Sequence, residues 1–167
     1  PWRTPARPVY TGRVLAVLLA VNARFTHSNL ALRYIRNAMG EACPDGRLRV
    51  ELREYQINQN RLDIVRDLAA LKPDAILLSV YIWNAELLGA ILPDLRSLLP
   101  DCRLIAGGPE AGYDADAWLK RHPELDLVVQ GPGERAAAEL VQRRFDTSAW
   151  PDRVLKAVPV RSEEHTS

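Results

Sequence analysis

The chain has 167 residues, of which 47% are hydrophobic and 26% charged, and its formal net charge is +1. Such a length and composition are typical of one globular domain, and the near-neutral charge excludes the basic surface that nucleic acid or an anionic membrane requires. No apolar run approaches the ~20 residues of a membrane-spanning helix. We therefore expect a cytoplasmic protein with neither a nucleic acid nor a membrane as partner.

Both ends of the sequence are predicted to lie outside the folded domain. Residues 1–12 are rich in proline and arginine and are expected to form a disordered leader. Residues 161–167 resemble the translation of a sequencing adapter, so we interpret them as an artificial tail. The domain is predicted to occupy residues 13–146, followed by a linker over residues 147–160.

The first half of the domain alternates strand patterns with helix patterns. Residues 14–21 are almost continuously apolar, as in a parallel strand buried on both faces, and residues 29–42 show the apolar spacing of a helix. Alternating apolar and charged residues over 48–52 predict a half-exposed strand at a sheet edge. A helix capped by Asn60 is then expected to run to Leu71.

The second half repeats this alternation three times. Prolines 93 and 100 are expected to break or end the third helix of the chain. The three predicted strands cover residues 75–78, 103–106 and 125–129, and the helices after them begin near residues 84, 114 and 134.

Five strands alternating with five helices predict an α/β fold with a doubly wound parallel sheet. Because the second strand resembles an edge strand, we expect the flavodoxin-like order 2-1-3-4-5. In this order ligands bind at the carboxyl edge of the sheet, in a crevice between the first and third strands.

Four loops rich in small, polar and aromatic residues should meet at this edge. They are residues 22–29 (NARFTHSN), 79–84 (SVYIWN), 107–110 (GGPE) and 131–134 (GPGE). These loops lack the glycine pattern of a dinucleotide site, the P-loop and the acidic residues of a phospho-receiver domain. A nucleotide- or sugar-processing enzyme is disfavoured as well, because the loops contain neither paired carboxylates nor a histidine dyad. We expect no catalytic residue in this chain.

The stretches NARFTHSNLAL, ELREYQIN, SVYIWN, GGPE and GPGE resemble the cobalamin-binding domain at the N-terminus of many radical S-adenosylmethionine proteins. This resemblance implies a corrinoid over the strand ends, with its nucleotide tail between the sheet and neighbouring helices. Two glycines of GGPE are expected to let the backbone approach the flat ring. The residues implied at the cofactor are Asn22, His27, Ser28, Asn29, Ser79, Tyr81, Ile82, Trp83, Asn84, Gly107, Gly108, Pro109, Glu110, Gly131, Gly133 and Glu134.

Two departures limit what the resemblance implies. Cobalamin domains of the methionine synthase type carry Asp-x-His-x-x-Gly, whose histidine binds cobalt, whereas His27 lacks the flanking Asp and Gly. We therefore expect cobalt to have no protein ligand on its lower face. Cys43 and Cys102 are isolated, which disfavours a disulfide framework or a protein metal site. An iron–sulfur cluster and S-adenosylmethionine are expected only in a radical domain beyond this chain.

Several candidate residues also have a purely structural interpretation. Asn84 is first of all a candidate helix cap, and Ser79 could be a buried serine bonded to backbone. Tyr81 and Trp83 could face the ring or seal the core. His27 could contact the ligand or bond locally, and glutamates in the first turn of a helix are common because the helix dipole favours them.

Two functional hypotheses follow. In the first, the chain is a module that positions cobalamin for a radical S-adenosylmethionine enzyme, for example a methyltransferase, whose catalytic domain lies outside this chain. In the alternative, it is a degenerate interaction domain that keeps the fold, binds no corrinoid and docks the radical domain.

Overall fold

A computed structural model of the protein describes residues 12–23 and 30–157. Within these ranges, six strands and six helices alternate, except that two short helices follow the fourth strand. The strands are β1 (Val14–Asn22), β2 (Leu48–Gln56), β3 (Ala75–Ser79), β4 (Arg103–Gly107), β5 (Leu127–Gln130) and β6 (Val154–Lys156). The helices are α1 (Leu30–Ala42), α2 (Arg61–Ala70), α3 (Ala85–Leu98), α4 (Pro109–Tyr113), α5 (Ala115–Arg121) and α6 (Gly133–Gln142).

The strands form one parallel sheet in the order β2-β1-β3-β4-β5-β6. The predicted α/β class and the order 2-1-3-4-5 are confirmed. The count of five strands is one too few, because β6 lies in the segment that was predicted as a linker. Val154 and Leu155 of β6 are 7% and 1% exposed, so they belong to the core. Predictions for residues 1–11 and 158–167 concern residues outside the described ranges.

Side chains of β1 alternate between the two faces of the sheet and join two separate cores. Val17 and Leu19 belong to the core beneath α2, α3 and α5, whereas Ala16 and Leu18 belong to the core beneath α1 and α6. All four side chains are completely buried. Burial on both faces explains the continuous apolar run in this part of the sequence.

The strand β2 lies at the edge of the sheet, as its alternating pattern predicts. Its apolar residues are partly buried against the core of α1 and α6. On the other face, Glu51 forms ion pairs with Arg49 and Arg53. Tyr55 donates a hydrogen bond to Asp67 of α2, and burial together with this carboxylate raises the pKa of Tyr55. Charged side chains of this kind are common on exposed sheet edges.

The helices differ from the sequence predictions mainly at their ends. Asn60 caps α2 as predicted, because its side chain accepts a hydrogen bond from the Leu62 amide at 2.9 Å. Pro93 lies inside α3 and does not break it, since Leu92 and Leu95 on the same helix are buried against the sheet. Tertiary packing here outweighs the local cost of proline. The short helix α4 was not predicted.

The helices of the described residues are all too short or too polar to cross a bilayer.

Candidate cofactor site

A cavity of about 150 Å³ lies between the sheet and the helices α1 and α6, towards the carboxyl ends of the strands. Its floor consists of Leu18, Leu77 and Ile105, which are aligned with one another on β1, β3 and β4. Closer to the carboxyl edge, Ser79 on β3 pairs with Gly107 on β4. The cavity therefore lies above the central strands, where the sequence analysis expected the crevice.

Small side chains keep this cavity open. A Cβ atom at Gly107 would meet only the Cβ atom of Val129, at 3.6 Å, which is ordinary contact. Apart from the two chain neighbours, no other atom of the described residues lies within 4 Å of that position, so a glycine there leaves space that a side chain would occupy. The walls from the helices are also built largely from small or aliphatic residues: Ala31, Leu32 and Ile35 of α1, and Gly133, Ala136, Ala137 and Leu140 of α6.

Gly108 and Gly131 serve the backbone of the loops. Their φ angles are +94° and +95°, a region that favours glycine. A Cβ atom at Gly108 would lie 2.5 Å from the carbonyl oxygen of Val80, and one at Gly131 would lie 2.5 Å from that of Ala157. These two glycines are thus required by close approach of the chain to itself, whatever ligand the cavity holds.

Asn84 joins the ends of β1 and β3. Its side chain is 1% exposed and does not cap α3, although the residue occupies the N-cap position. The Nδ2 group donates to the carbonyl oxygens of Val21 and Ser79, both at 3.1 Å, and Oδ1 accepts from the Tyr81 amide at 2.8 Å. An asparagine can satisfy donors and acceptors at once. The predicted cap is therefore a cross-link at the switch point of the sheet.

Tyr81 and Trp83 form an aromatic surface beside the cavity. Their rings stack with centroids 4.5 Å apart and planes 8° apart. Trp83 is 48% exposed and Ile82 is 79% exposed, so neither seals the core. Tyr81 also lines the cavity. The geometry therefore disfavours a role of these aromatics in sealing the core and favours an outward-facing surface, which a bound ring could contact.

Gln130 connects two of the loops and is not among the residues predicted from the sequence. Its Nε2 group donates to the carbonyl oxygen of Gly112 in α4 at 3.1 Å. Its own carbonyl oxygen accepts from the Ala157 amide at 2.7 Å. The GGPE helix and the chain leaving β6 are thereby both fixed to the end of β5. A polar residue that ends an apolar strand was the available signal.

The sequence-predicted residues divide into three groups. Seven of them line the cavity: Ser79, Tyr81, Gly107, Gly108, Gly131, Gly133 and Glu134. Six lie at the strand ends without lining it: Asn22, Ile82, Trp83, Asn84, Pro109 and Glu110. His27, Ser28 and Asn29 lie outside the described residues.

Metal-binding side chains are not grouped in the part of the chain that the structure describes. No three His, Cys, Asp or Glu residues there are close enough to hold an ion together. Cys43 and Cys102 form no disulfide, and Cys102 is buried.

The family model described as the B12 binding domain matches residues 16–141. The chain belongs to this family. The matched range extends from β1 to α6 and contains every residue that lines the cavity. Cobalamin is therefore the cofactor of the domain, as the sequence resemblance implied.

Two curated relatives are enzymes named as methyltransferases. The 2-(S-pantetheinyl)-carbapenam-3-carboxylate methyltransferase of Streptantibioticus cattleyicolor is 30% identical over 120 residues, covering 61% of this chain and 18% of the relative. The cobalamin-dependent radical SAM methyltransferase TokK of Streptomyces tokunonensis is 32% identical over 89 residues, covering 53% of this chain and 12% of the relative. The chain thus spans less than a fifth of the length of either relative.

Solved structures with the same fold include the cobalamin-dependent S-adenosylmethionine radical enzyme OxsB. Its form with aqua-cobalamin and S-adenosylmethionine aligns with a TM-score of 0.58 and 18% identity, over 79% of this chain and 18% of that chain. The apo form aligns with a TM-score of 0.60 and 21% identity, over the same shares. At these identities the likeness supports the fold.

The cavity fits one part of a cobalamin. Pockets that enclose a whole drug-sized ligand have volumes of about 300–1,000 Å³. A cavity of about 150 Å³ can take a fused two-ring base, while the macrocycle would have to lie outside it. The space beside Gly107 also suits a bound ligand, because it lies at the end of β4 and is not filled by a side chain.

Proposed function

We propose that this domain positions cobalamin for a radical S-adenosylmethionine enzyme, with the nucleotide tail in the cavity and the corrin over the strand ends. The observation that carries the proposal is the cavity between the central strands and the helices α1 and α6, which opens at the carboxyl edge. In a degenerate domain that binds no corrinoid, no function would require this space to stay free of side chains. The small residues Ser79 and Gly107 preserve it on adjacent strands.

The described loops supply different contacts to the cofactor. The Ser79 hydroxyl and the Glu134 carboxylate are polar groups of the lining, suited to hydrogen bonds with the ribose or the corrin amides. Tyr81 offers an aromatic edge beside the ring, and its stacked partner Trp83 holds it in place. His27, Ser28 and Asn29 remain proposed contacts of the first loop. Because the Asp-x-His-x-x-Gly motif is absent, we propose that cobalt has no histidine ligand from this chain.

The reaction itself belongs to the cofactor and to a further domain. When bound, cobalamin supplies the chemistry of a methyl carrier, and the protein supplies position and environment. We propose methyl transfer because both relatives bear that name. S-adenosylmethionine and an iron–sulfur cluster would be held by a radical domain of the full-length protein. A cytoplasmic location also remains a proposal.

We further propose that the radical domain docks on the carboxyl edge of the sheet. Ile82 is 79% exposed there, and Tyr113, at the end of α4, is 91% exposed. Trp83 adds an exposed ring to the same edge. Large apolar side chains at the mouth of a cofactor site suit a surface that a partner covers.

Titration of the 167-residue chain with hydroxocobalamin tests the proposal, followed by absorbance and by the colour retained after gel filtration. We expect the wild-type chain to bind and Gly107→Val to bind at least about 10-fold more weakly, because the valine would fill the cavity. The matched control is Gly40→Val, since a Cβ atom at Gly40 in α1 meets nothing within 4 Å. Circular dichroism verifies that all three proteins are folded. No spectral change and no retained colour for the wild-type chain would favour the degenerate interaction domain.

A further inference from the structure

We infer that the cavity selects corrinoids by their lower base, accepting an apolar benzimidazole and discriminating against a purine. This inference rests on the proposed function, because it assumes that the nucleotide tail enters the cavity. It concerns the chemistry of the walls, which determines the class of base that can be buried there.

The deep walls of the cavity are aliphatic. The floor of the cavity consists of Leu18, Leu77 and Ile105, and Leu140 lines it from α6. Three of these four side chains (Leu18, Ile105 and Leu140) are at most 1% exposed. The polar side chains of the lining are Ser79, Tyr81 and Glu134. All three lie closer to the carboxyl edge of the sheet than the deep residues do, and ribose and phosphate would pass there.

Backbone groups of the walls are already engaged. Leu18, Leu77 and Ile105 each have paired residues on the strands at both sides, so their amides and carbonyls serve the sheet. Even the carbonyl of Ser79, at the end of β3, accepts from Asn84. Ala137 and Leu140 lie within α6, where backbone groups bond along the helix. A base in this space would find no free main-chain donor or acceptor on the described deep walls.

The two classes of base differ in what they need from such walls. A dimethylbenzimidazole presents two methyl groups and a hydrocarbon edge, which gain from contact with leucine and isoleucine. Adenine presents an exocyclic amine and ring nitrogens instead. Each polar group buried without a partner weakens binding, because it loses its hydrogen bonds to water and gains none. We therefore expect the adenine-based corrinoid to bind at least about 10-fold more weakly than cobalamin.

Three corrinoids test this inference: cobalamin, its analogue with adenine as the lower base, and cobinamide, which has no base. For the wild-type chain we expect cobalamin to bind most tightly and the adenine analogue to bind about as weakly as cobinamide. A preference for cobalamin below about 10-fold would overturn the inference while leaving the proposed function intact. Failure of all three to bind would instead contradict the proposed function.

A pair of variants in α6 places the selectivity in the cavity. Ala137 lines the cavity and is 2% exposed, whereas its neighbour Ala138 lies outside it on the same helix. Ala137→Val should remove the preference for cobalamin over cobinamide, because the larger side chain occupies space that the lower base needs. Ala138→Val should retain the wild-type preference. A preference that survives in a folded Ala137→Val protein would show that discrimination arises elsewhere, and would overturn the inference.

Discussion

Gly107 and Gly108 are neighbours in the sequence but differ in the space around their Cα atoms. Gly107 ends β4, and a Cβ atom there makes ordinary contact with Val129. Gly108 has a φ angle of +94°, and a Cβ atom there would collide with the carbonyl oxygen of Val80. From the sequence, both glycines are predicted to contact the corrin ring. In the structure, a glycine is required at position 108 by the backbone conformation and packing of the loop alone.

We predict that Gly108→Ala destabilises the protein far more than Gly107→Ala. At φ +94° and ψ 172° the backbone of Gly108 lies in a region restricted essentially to glycine, which costs an alanine about 1–3 kcal/mol, and the contact with Val80 adds to this. Gly107→Ala should change the free energy of unfolding by less than about 0.5 kcal/mol, since its position is extended and open. Urea unfolding of the two variants measures the difference. Equal stability of both would contradict the backbone role of Gly108.

His122 gives the second prediction at the scale of a residue. Its ring packs on Trp118 with centroids 4.4 Å apart, and Gly89 of α3 makes room for it, because a Cβ atom there would approach Cε1 to 2.6 Å. Burial lowers the pKa of His122 below its ordinary value of 6.5, opposed by Glu124 and assisted by Arg121. The unfolded chain therefore takes up this proton more readily than the folded one.

The free energy of unfolding should consequently decrease as the pH falls below about 6.5, and should level off once the lower pKa of the folded state is passed. Urea unfolding between pH 8 and pH 5 measures this. In His122→Gln the slope in this window should be reduced, because the titrating group is gone. An unchanged slope in that variant would show that another group is responsible.

At the scale of elements, most of the fold follows from hydrophobic periodicity. Long, strongly patterned segments such as β1 and β2 were located correctly, and the edge position of β2 followed from its charged alternation. The strand β6 was missed because three residues are too few to show a period. Its burial depends on β5 and α6, which are distant in the sequence, so no local signal could reveal it.

The structure predicts that β6 contributes to stability. Leu155 is 1% exposed and packs in the core of α1 and α6, so Leu155→Ala should cost about 2–5 kcal/mol of unfolding free energy. Lys156→Ala, at the next residue and exposed, is the matched control and should cost less than about 0.5 kcal/mol. If Leu155→Ala were as harmless as the control, residues 147–160 would behave as the linker that the sequence suggested.

The candidate site was predictable only in outline. Parallel strands place their carboxyl ends at one edge, so the four loops could be brought together from the sequence alone. The floor of the cavity could not, because Leu18, Leu77 and Ile105 look like any other core residues. These residues form the floor of a cavity only because no side chain fills the space above them. Small residues that are far apart in the sequence, such as Gly107 and Ala137, create that space only when the sheet and α6 meet.

At the scale of the whole molecule, the sheet is a platform whose carboxyl edge is the proposed cofactor site. Asn84 joins β1 to β3, and Gln130 joins β5 to α4 and to the end of β6. The Asn84 side chain holds the loop after β3 against the end of β1 with hydrogen bonds of 2.8–3.1 Å, and the side chain and main-chain carbonyl of Gln130 hold α4 and Ala157 against the end of β5 with bonds of 3.1 Å and 2.7 Å. A site held in this way is organised before the cofactor arrives, which lowers the entropic cost of binding.

We propose that the lower base of cobalamin leaves cobalt and enters the cavity between the sheet and the helices α1 and α6, while no histidine replaces it. Electron paramagnetic resonance of the chain loaded with cob(II)alamin tests this directly, because a nitrogen ligand on the lower face splits the cobalt lines further. Free cob(II)alamin with its base coordinated is the reference. We predict a spectrum of the bound cofactor without the nitrogen splitting. A spectrum that retains it, from the base or from His27, would contradict the account.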